Sequence, residues 1–412
     1  MFTKFGQQLK PIGNRSSSET KKEQANQKQN FQITQKRQKS ESKVSEEQKS
    51  LFQSISTQRG NVRLPDLNKS QKQIEKSISG GDITKKPPLM KSRIIIDTKQ
   101  KQQQQQQQSL TQSMTIKNKN DESIQHSQQQ KEKVKVSYFS QSRPGYDGIS
   151  EKTNQDRELC LQLDENNYAF VVMDGHGMEG EQVSGFVKEQ LKLNLNKFYK
   201  LFDFQKIFLD IHQKMKLQTA FECQFSGTTA TVLLLKENNI QCGWVGDSRA
   251  ILVRKHQDLS VIELSVDHKP HLEGERKRIE QHGGVVDTYH LPGGAPIGPS
   301  RVWAKGAQFP GLAMSRSLGD LVAASIGVSQ IPELKIVDMV NKEDLFIVLG
   351  SDGIWEFLNN KTIAELVYPF YMKNDPQGAC QKIIQEAVAA WKMHSQGIDD
   401  ITAIVIFFQY GL

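Results

Sequence analysis

The hydrophobic and polar residues of this chain follow two different periods after about residue 136, and together they predict both strands and helices. Predominantly apolar runs at 168–173, 345–349 and 401–408 predict buried strands. Between residues 228 and 253, three shorter apolar runs separated by turn residues predict an antiparallel meander.

Four other segments have apolar residues at helical spacing. The first begins near Ser184, and the second continues to about Met215. A short helix over ERKRIEQ is closed by Gly283 and Gly284, and the fourth helix covers residues 377–394. Strands therefore outnumber helices, and the helices come in pairs between groups of strands. This order predicts an α+β fold of two antiparallel sheets packed face to face with helices outside, rather than an alternating parallel fold.

The first 136 residues have a different composition. They contain a run of seven glutamines, Gln102–Gln108, and no tyrosine, tryptophan or cysteine. Such a segment buries too little apolar surface to offset the conformational entropy that is lost on folding. We therefore predict a disordered tail rich in Gln, Lys and Ser at residues 1–136, followed by one folded domain at residues 137–412.

Net charge separates the same two regions. The whole chain has a formal charge of +8, but residues 1–136 contain 27 Lys and Arg against 12 Asp and Glu, so the tail carries +15 and the domain −7. A basic protein is often a nucleic-acid-binding protein, but here the basic charge is confined to the tail. The tail has no signature of an RNA- or DNA-binding fold, so we do not expect a nucleic-acid partner.

One tail segment, KKPPLMKSRIII at residues 85–96, places basic residues before Leu89 and Ile94–Ile96. This order resembles the basic-plus-hydrophobic docking peptides that bind kinases of the mitogen-activated class. The alternative is an adhesive patch in a disordered tail, because such short motifs also match by chance.

The sequence contains no recognisable targeting or membrane segment. The start MFTKFGQQLK lacks the apolar region of a signal peptide, and no run approaches the roughly 20 apolar residues of a spanning helix. The four cysteines lack the paired spacing of a zinc site or a disulfide framework. We therefore predict an intracellular protein, cytoplasmic, nuclear or both, with reduced thiols and no membrane partner.

Acidic residues stand next to several of the predicted core strands. Asp174, Asp247 and Asp352 follow apolar runs, Asp399 precedes the last one, and Asp156 closes the motif KTNQD. A single aspartate at a strand end is usually a turn or cap residue. Five such positions in one domain predict carboxylates that converge at one rim, where they would repel each other and raise each other's pKa.

Hard divalent cations relieve such repulsion, and oxygen ligands select magnesium, manganese or calcium. Gly175 lets a backbone carbonyl join the ligands, because no Cβ blocks the approach. Two cations bridged by a carboxylate would activate a water and support displacement at phosphorus. His176 could reach the same pocket and donate a proton to a leaving oxygen; the alternative is that it only orients a carboxylate.

Nine motifs occur in one order along the domain: KTNQD, VVMDGHG, SGTTA, VGDSRAIL, DHKP, RIEQHGG, RVWAKGAQFPGLAMSRSLGD, VLGSDGIWEFLNN and GIDDITAIVI. Together they resemble the metal-dependent type 2C serine/threonine protein phosphatases over about residues 137–410. The resemblance implies a four-layer α/β/β/α sandwich of two antiparallel sheets flanked by helix pairs. It also implies an enzyme that hydrolyses phosphoserine and phosphothreonine in phosphorylated proteins with a metal-activated water and no phospho-enzyme.

The resemblance further implies roles for individual residues around two divalent cations, magnesium or manganese. Asp174 would bridge the two metals, and the Gly175 carbonyl would bind one of them. Asp352 and Asp399 would bind the other, and His176 would be the general acid.

Asp156 would hold the water that attacks phosphorus. Asp247, together with Asp352 and Glu356, matches a weaker third metal position. Asp320, in RSLGD, is treated as a structural signature residue.

Three departures from the family pattern change these expectations. Gln155 stands where the family often has glutamate; it can still bind a metal through its carbonyl oxygen, but it supplies no charge. The phosphate-binding arginine of the family is replaced by Glu151, which leaves Lys152 or Arg143 to bind phosphate, Lys152 without the bidentate fork of arginine. Glu356 replaces the usual aspartate. A binding protein without turnover is the alternative that Gln155 and Glu151 support.

Overall fold

The computed structural model describes residues 134–236, 239–290 and 296–410. The predicted disordered tail lies almost wholly outside these ranges. The glutamine run and the proposed kinase-docking segment lie entirely outside them, so the predictions about the tail stay predictions.

Fifteen strands and seven α-helices occur within the described ranges. The strands are β1 (Lys135–Arg143), β2 (Asp156–Gln162), β3 (Tyr168–His176), β4 (Gly227–Thr228), β5 (Ala230–Lys236), β6 (Asn239–Val245), β7 (Arg249–Lys255), β8 (Leu259–Glu263), β9 (Gly284–His290), β10 (Pro296–Ala304), β11 (Pro310–Leu312), β12 (Leu318–Gly319), β13 (Glu333–Asp338), β14 (Asp344–Gly350) and β15 (Ile401–Gln409). The helices are α1 (Gly180–Phe198), α2 (Phe204–Leu217), α3 (Glu273–Gln281), α4 (Leu321–Ser325), α5 (Asp352–Trp355), α6 (Asn360–Tyr371) and α7 (Pro376–His394).

Two antiparallel sheets form the centre of the fold. One has five strands in the order β1-β15-β14-β7-β8. The other has seven strands, in which β12, β4, β3, β5, β6 and β13 follow one another and β2 pairs with the free side of β3. A separate three-stranded sheet, β11-β10-β9, lies between α3 and α4 in the chain.

Alternate residues of β3 enter two different hydrophobic layers. Phe170 and Val172 pack between the two sheets, whereas Ala169, Val171 and Met173 pack against α1 and α2 on the outer face. Successive side chains of a strand point to opposite faces, so a strand buried on both faces reads as the unbroken apolar run seen in the sequence.

The five-stranded sheet is covered on its outer face by the second helix pair. Buried residues of β7, β14 and β15 form one cluster with Ile363 of α6 and Ile383 of α7. The Asn359 side chain caps the first turn of α6, and Asp375 caps α7, which begins with Pro376. The resulting four layers confirm the predicted α/β/β/α sandwich.

Several strands and three helices, α4, α5 and α6, were not identified from the sequence. Strands β1, β8 and β13 carry mostly partly exposed or exposed residues, so their apolar signal is weak. Helix α6 is short and contains Pro369, and α1 begins four residues before Ser184, at Gly180. The four cysteines are free thiols, and the helices of the described ranges include none long and apolar enough to cross a membrane.

Candidate metal centre

The end of the inter-sheet layer carries the acidic residues. Because Phe170 and Val172 face this layer, the two-residue period of β3 places Asp174 on the same face. Asp156, the first residue of β2, lies directly opposite Asp174 in the strand pairing. Like charges in this arrangement destabilise a sheet, so the position is unfavourable unless a proton or a cation compensates.

The second sheet brings further carboxylates to the same end. Asp352 begins α5 immediately after β14, and the preceding Ser351 hydroxyl donates to Asp156 Oδ2 at 2.7 Å. The Asp400 carboxylate accepts hydrogen bonds from the backbone N–H groups of Gly145, at 2.6 Å, and Gln155, at 2.8 Å. Asp400 therefore ties the loop before β15 to the loop before β2.

The pKa values of these groups show how closely they interact. Burial and then the charges of Asp156 and Asp352 raise the pKa of Asp174 well above its ordinary value. Burial and the charge of Asp399 do the same for Asp352. Burial also raises the pKa of Asp156 to about 7, against the opposing hydrogen bond from Ser351. Asp156 and Asp174 therefore face each other across paired strands, and Asp352 acts on Asp174 from the second sheet; their roles around the metals stay predictions.

Two lysines neutralise the margins of this cluster. Lys152 Nζ lies 2.6 Å from Asp399 Oδ1, and Lys269 Nζ lies 2.5 Å from Asp247 Oδ2. Burial disfavours charge on both lysines, but the partner carboxylates outweigh it and raise the pKa of each ammonium. Neither Asp174 nor Asp352 forms an ion pair among the described residues.

The donor set fits hard divalent cations. Oδ1 of Asp156 and Oδ1 of Asp247 are buried without a hydrogen-bond partner among the described residues. A Cβ at Gly175 would collide with the carbonyls of Gln155 and Gly180, so only glycine allows this close backbone approach. No three His, Cys, Asp or Glu side chains of the described ranges already have a metal-holding geometry. The fit therefore rests on donor chemistry and charge.

The residues that depart from the family pattern lie at different positions around the site. Gln155 Nε2 donates to the Gly177 carbonyl at 2.9 Å, an interaction that a glutamate could not make. Arg143, at the end of β1, has a buried Nη1 without a partner in the described part of the chain. Glu356 is exposed and follows α5.

His176 contacts a residue whose role the sequence did not indicate. Its Nε2 lies 2.7 Å from Asp320 Oδ2. Burial would lower the pKa of His176, but the Asp320 charge and hydrogen bond outweigh it, and the pKa is raised. The motif RSLGD marked Asp320 as a signature residue, but nothing local in that motif points to a histidine 144 positions earlier.

Comparisons with known proteins identify the family of the chain. The family model described as "Protein phosphatase 2C" matches residues 134–395. The Arabidopsis thaliana protein "Probable protein phosphatase 2C 35" is 32% identical over 284 residues, which cover 63% of this chain and 80% of that protein. "Probable protein phosphatase 2C 12" of Oryza sativa subsp. japonica is 36% identical over 199 residues, which cover 47% of this chain and 49% of that protein.

A solved structure shares the fold. The crystal structure of the serine-threonine phosphatase 2C from Toxoplasma gondii aligns with a TM-score of 0.55 at 20% identity. The alignment covers 67% of this chain and 95% of that chain.

Proposed function

The chain belongs to the protein phosphatase 2C family and is a metal-dependent protein serine/threonine phosphatase, and from this premise we propose that its carboxylate cluster binds two cations, magnesium or manganese. Water activated there would hydrolyse phosphoserine and phosphothreonine without a phospho-enzyme. The observation that carries this proposal is the pairing of Asp156 opposite Asp174, together with the raised pKa values of Asp156, Asp174 and Asp352, which burial and neighbouring carboxylates cause. Carboxylates that raise each other's pKa form a site in need of positive charge.

The ligands would come from both sheets. Asp174 and the Gly175 carbonyl are supplied by β3, while Asp352 and Asp399 flank β14 and β15. When bound, two cations supply Lewis-acid activation of water and stabilise the charge that develops on the phosphoryl oxygens. Gln155 remains a candidate ligand through Oε1, because its Nε2 is the atom that binds Gly177.

A weaker third cation could bind near Asp247, Asp352 and Glu356. Asp247 Oδ1 is free of protein partners within the described ranges, which supports this position. Its other oxygen is occupied by Lys269, so the ammonium already supplies part of the charge that a third cation would supply.

The remaining residues would handle the substrate and the proton. Asp156, fixed by Ser351, would orient the attacking water through Oδ1. Lys152 and Arg143 are the candidate phosphate-binding residues, since Lys152 reaches Asp399 and Arg143 has an unpartnered guanidinium nitrogen. His176 would protonate the leaving seryl or threonyl oxygen.

Hydrolysis of a phosphothreonine peptide by the full chain tests this proposal. We expect turnover that rises with manganese or magnesium, disappears with chelator and returns when metal is restored. Asp174→Asn should abolish this turnover. Asp375→Asn is its matched control, because it also removes one carboxylate charge, at the start of α7, and should leave turnover intact. Turnover that persists in excess chelator would contradict the metal-dependent mechanism. Phosphopeptide binding without turnover at millimolar manganese would favour the binding-protein alternative.

A further inference from the structure

A carboxylate and an imidazole from distant parts of the chain meet beside the candidate metal centre. His176 is at the end of β3, and Asp320 lies between β12 and α4. Their side chains are 21% and 4% exposed, so the contact between Nε2 and Oδ2 is largely shielded from water. Hydrogen bonds to ionised groups are strong in such surroundings, and this one constrains the imidazole ring.

The fold holds Asp320 in place from several sides. Its backbone is left-handed, with φ 46° and ψ 50°, which is unfavourable for a residue other than glycine. The Asp320 N–H donates to the Ser226 carbonyl at 2.9 Å, and the Ser317 hydroxyl donates to Oδ2 at 2.5 Å. A conformation of this kind persists only where surrounding contacts determine it, and such positions concentrate at functional sites.

Glycine at position 227 makes the contact sterically possible. A Cβ on Gly227 would collide with Asp320 Oδ2 and with His176 Nε2. Gly319, immediately before Asp320, has φ +90° and packs against the backbone of Ser226 and Gly227. The absence of side chains at these two glycines therefore leaves room for Asp320 to approach the imidazole.

A second histidine, His212, binds the backbone just before Asp320. His212 of α2 is 2% exposed, and its Nδ1 accepts a hydrogen bond from the Gly319 N–H at 3.3 Å. Burial lowers the pKa of His212 to about 4, so its ring is neutral and can accept this bond near neutral pH. The peptide that presents Asp320 is thus anchored to α2.

We propose that Asp320 is a positioning residue that fixes the ring of His176 for proton transfer to the leaving group. This inference rests on the proposed function, in which His176 is the general acid. Because Nε2 binds Asp320, the other ring nitrogen is the donor. Nδ1 makes no hydrogen bond of good geometry among the described residues, so it is the ring nitrogen left to donate a proton.

The proton transfer balances without a further reactant. As the bond between the attacking water and phosphorus forms, the bond between phosphorus and the seryl or threonyl oxygen breaks. The leaving oxygen takes the proton from His176 Nδ1, and the imidazole is reprotonated by the proton that the water loses. Asp320 remains ionised throughout and orients the ring.

The rates of the variant Asp320→Asn on two substrates with different leaving groups test the role of Asp320. A serine or threonine alkoxide needs a proton on departure, whereas the nitrophenolate released from p-nitrophenyl phosphate does not. We expect kcat on a phosphothreonine peptide to fall about 100-fold, at the lower end of general-acid effects. We expect kcat on p-nitrophenyl phosphate to fall less than about threefold. A purely structural defect would lower both rates equally and would overturn the inference.

The double variant His176→Gln/Asp320→Asn gives an independent test. If Asp320 acts through His176, the double variant should be no slower on the phosphopeptide than His176→Gln alone, because the two residues act as a unit. Multiplicative losses would overturn the inference. If Asp320→Asn fails to fold, Ser317→Ala removes only the hydroxyl on Oδ2 and should give a smaller loss, about threefold to tenfold, again confined to the phosphopeptide.

The two proposals fail in different ways. Wild-type protein without metal-dependent turnover would contradict the proposed function itself. Wild-type protein with turnover and an Asp320→Asn variant with equal losses on both substrates would contradict only the positioning role. Asp375→Asn is the control for a charge change away from the site.

Discussion

Two acidic regions of this molecule differ in how the negative charge of their carboxylates is compensated. Glu275, on α3, has an 8% exposed side chain and accepts hydrogen bonds from Arg278 and Arg316, each at 2.7 Å, and from the Ser315 hydroxyl. Burial raises its pKa, but these donors outweigh burial and hold the pKa well below the ordinary range. This carboxylate has its counter-charges built into the protein.

The candidate metal centre is built in the reverse manner. Asp156 and Asp174 are set against one another, and the two nearby lysines pair instead with Asp399 and Asp247. The pKa values of Asp156 and Asp174 are raised rather than lowered. A buried carboxylate that is paired with arginine side chains stabilises the fold. A group of carboxylates without such partners is suited to bind a metal cation from solution.

The largest expected effect comes from removing the central carboxylate. Asp174→Asn should reduce metal-dependent turnover by about three orders of magnitude, because several kcal/mol of transition-state stabilisation is lost with the cations. The metal-free variant should unfold at the same temperature as wild type or higher, since one repulsion is removed. Phosphopeptide kinetics and thermal unfolding in chelator measure the two effects. Undiminished turnover would remove Asp174 from the site.

Glu275→Gln should lower the stability of the protein rather than its turnover. Breaking a buried, hydrogen-bonded ion pair leaves Arg278 without its counter-charge and Arg316 with Glu333 alone, which costs about 3–5 kcal/mol of unfolding free energy. Chemical denaturation measures this loss, with Asp375→Asn as a control for the charge change. A loss below about 1 kcal/mol would mean that the two acidic regions do not differ in the way described.

Metal addition should distinguish the candidate metal centre from the Glu275 site by a change in stability smaller than that of Glu275→Gln. Manganese at 100 times its dissociation constant should stabilise the wild-type protein by about 2.7 kcal/mol, because it binds the folded state. Asp352→Asn should lose most of this stabilisation, and Glu275→Gln should retain it relative to its own metal-free form. Thermal unfolding with and without manganese reports both. Equal metal responses in the two variants would contradict the assignment of Asp352 as a ligand.

The smallest effect is a pH dependence of the metal-free protein. The pKa of Asp156 is about 7 in the folded protein and 3.8 as an ordinary aspartate, so its stabilisation is complete below pH 3.8 and lost as the pH rises through about 7. Glu275 has a lowered pKa, so its contribution is complete above pH 4.5 and is lost only at lower pH. Between pH 5 and 7, Asp156 should therefore lower stability in chelator by up to about 1.4 kcal/mol per pH unit.

Denaturant titrations in chelator at pH 5, 6 and 7 measure this slope. Asp156→Asn should make it less steep, because Asp174, Asp352 and His176 also have raised pKa values and still contribute, and Glu275→Gln should keep it, since its lowered pKa lies below this interval. Stability that increases with pH over the same interval would show that Asp156 is not held protonated in the metal-free fold.

The buried strands and the acids at their ends were predictable because they depend on local pattern. The apolar run that ends at Met173 is buried on both faces, and its two-residue period places Asp174 in the inter-sheet layer. Strand β13 was missed although its segment Glu-Leu-Lys-Ile alternates, and the structure leaves its apolar residues Leu334 and Ile336 exposed. Its place is determined by pairing with β6.

Side-chain partners were the least predictable part of the site. Gln155 was expected as a ligand, but no pattern showed that its amide nitrogen binds the Gly177 carbonyl. Lys269 was recognised only as part of the motif DHKP, and its contact with Asp247 spans 22 positions in the chain. Such contacts depend on loop conformations that residue spacing does not encode.

The sequence by itself determined the family, the sandwich of buried strands and helix pairs, and the oxygen-rich chemistry of the candidate centre. These follow from local periodicity and from motifs whose residues are near neighbours in the chain. Only the tertiary structure decided that Asp320 meets His176, and that Asp156 and Asp174 remain without cationic partners while Glu275 has two. The physical reason is that such contacts join residues far apart in the chain, and they form only when sheet register and loop conformation bring those residues together.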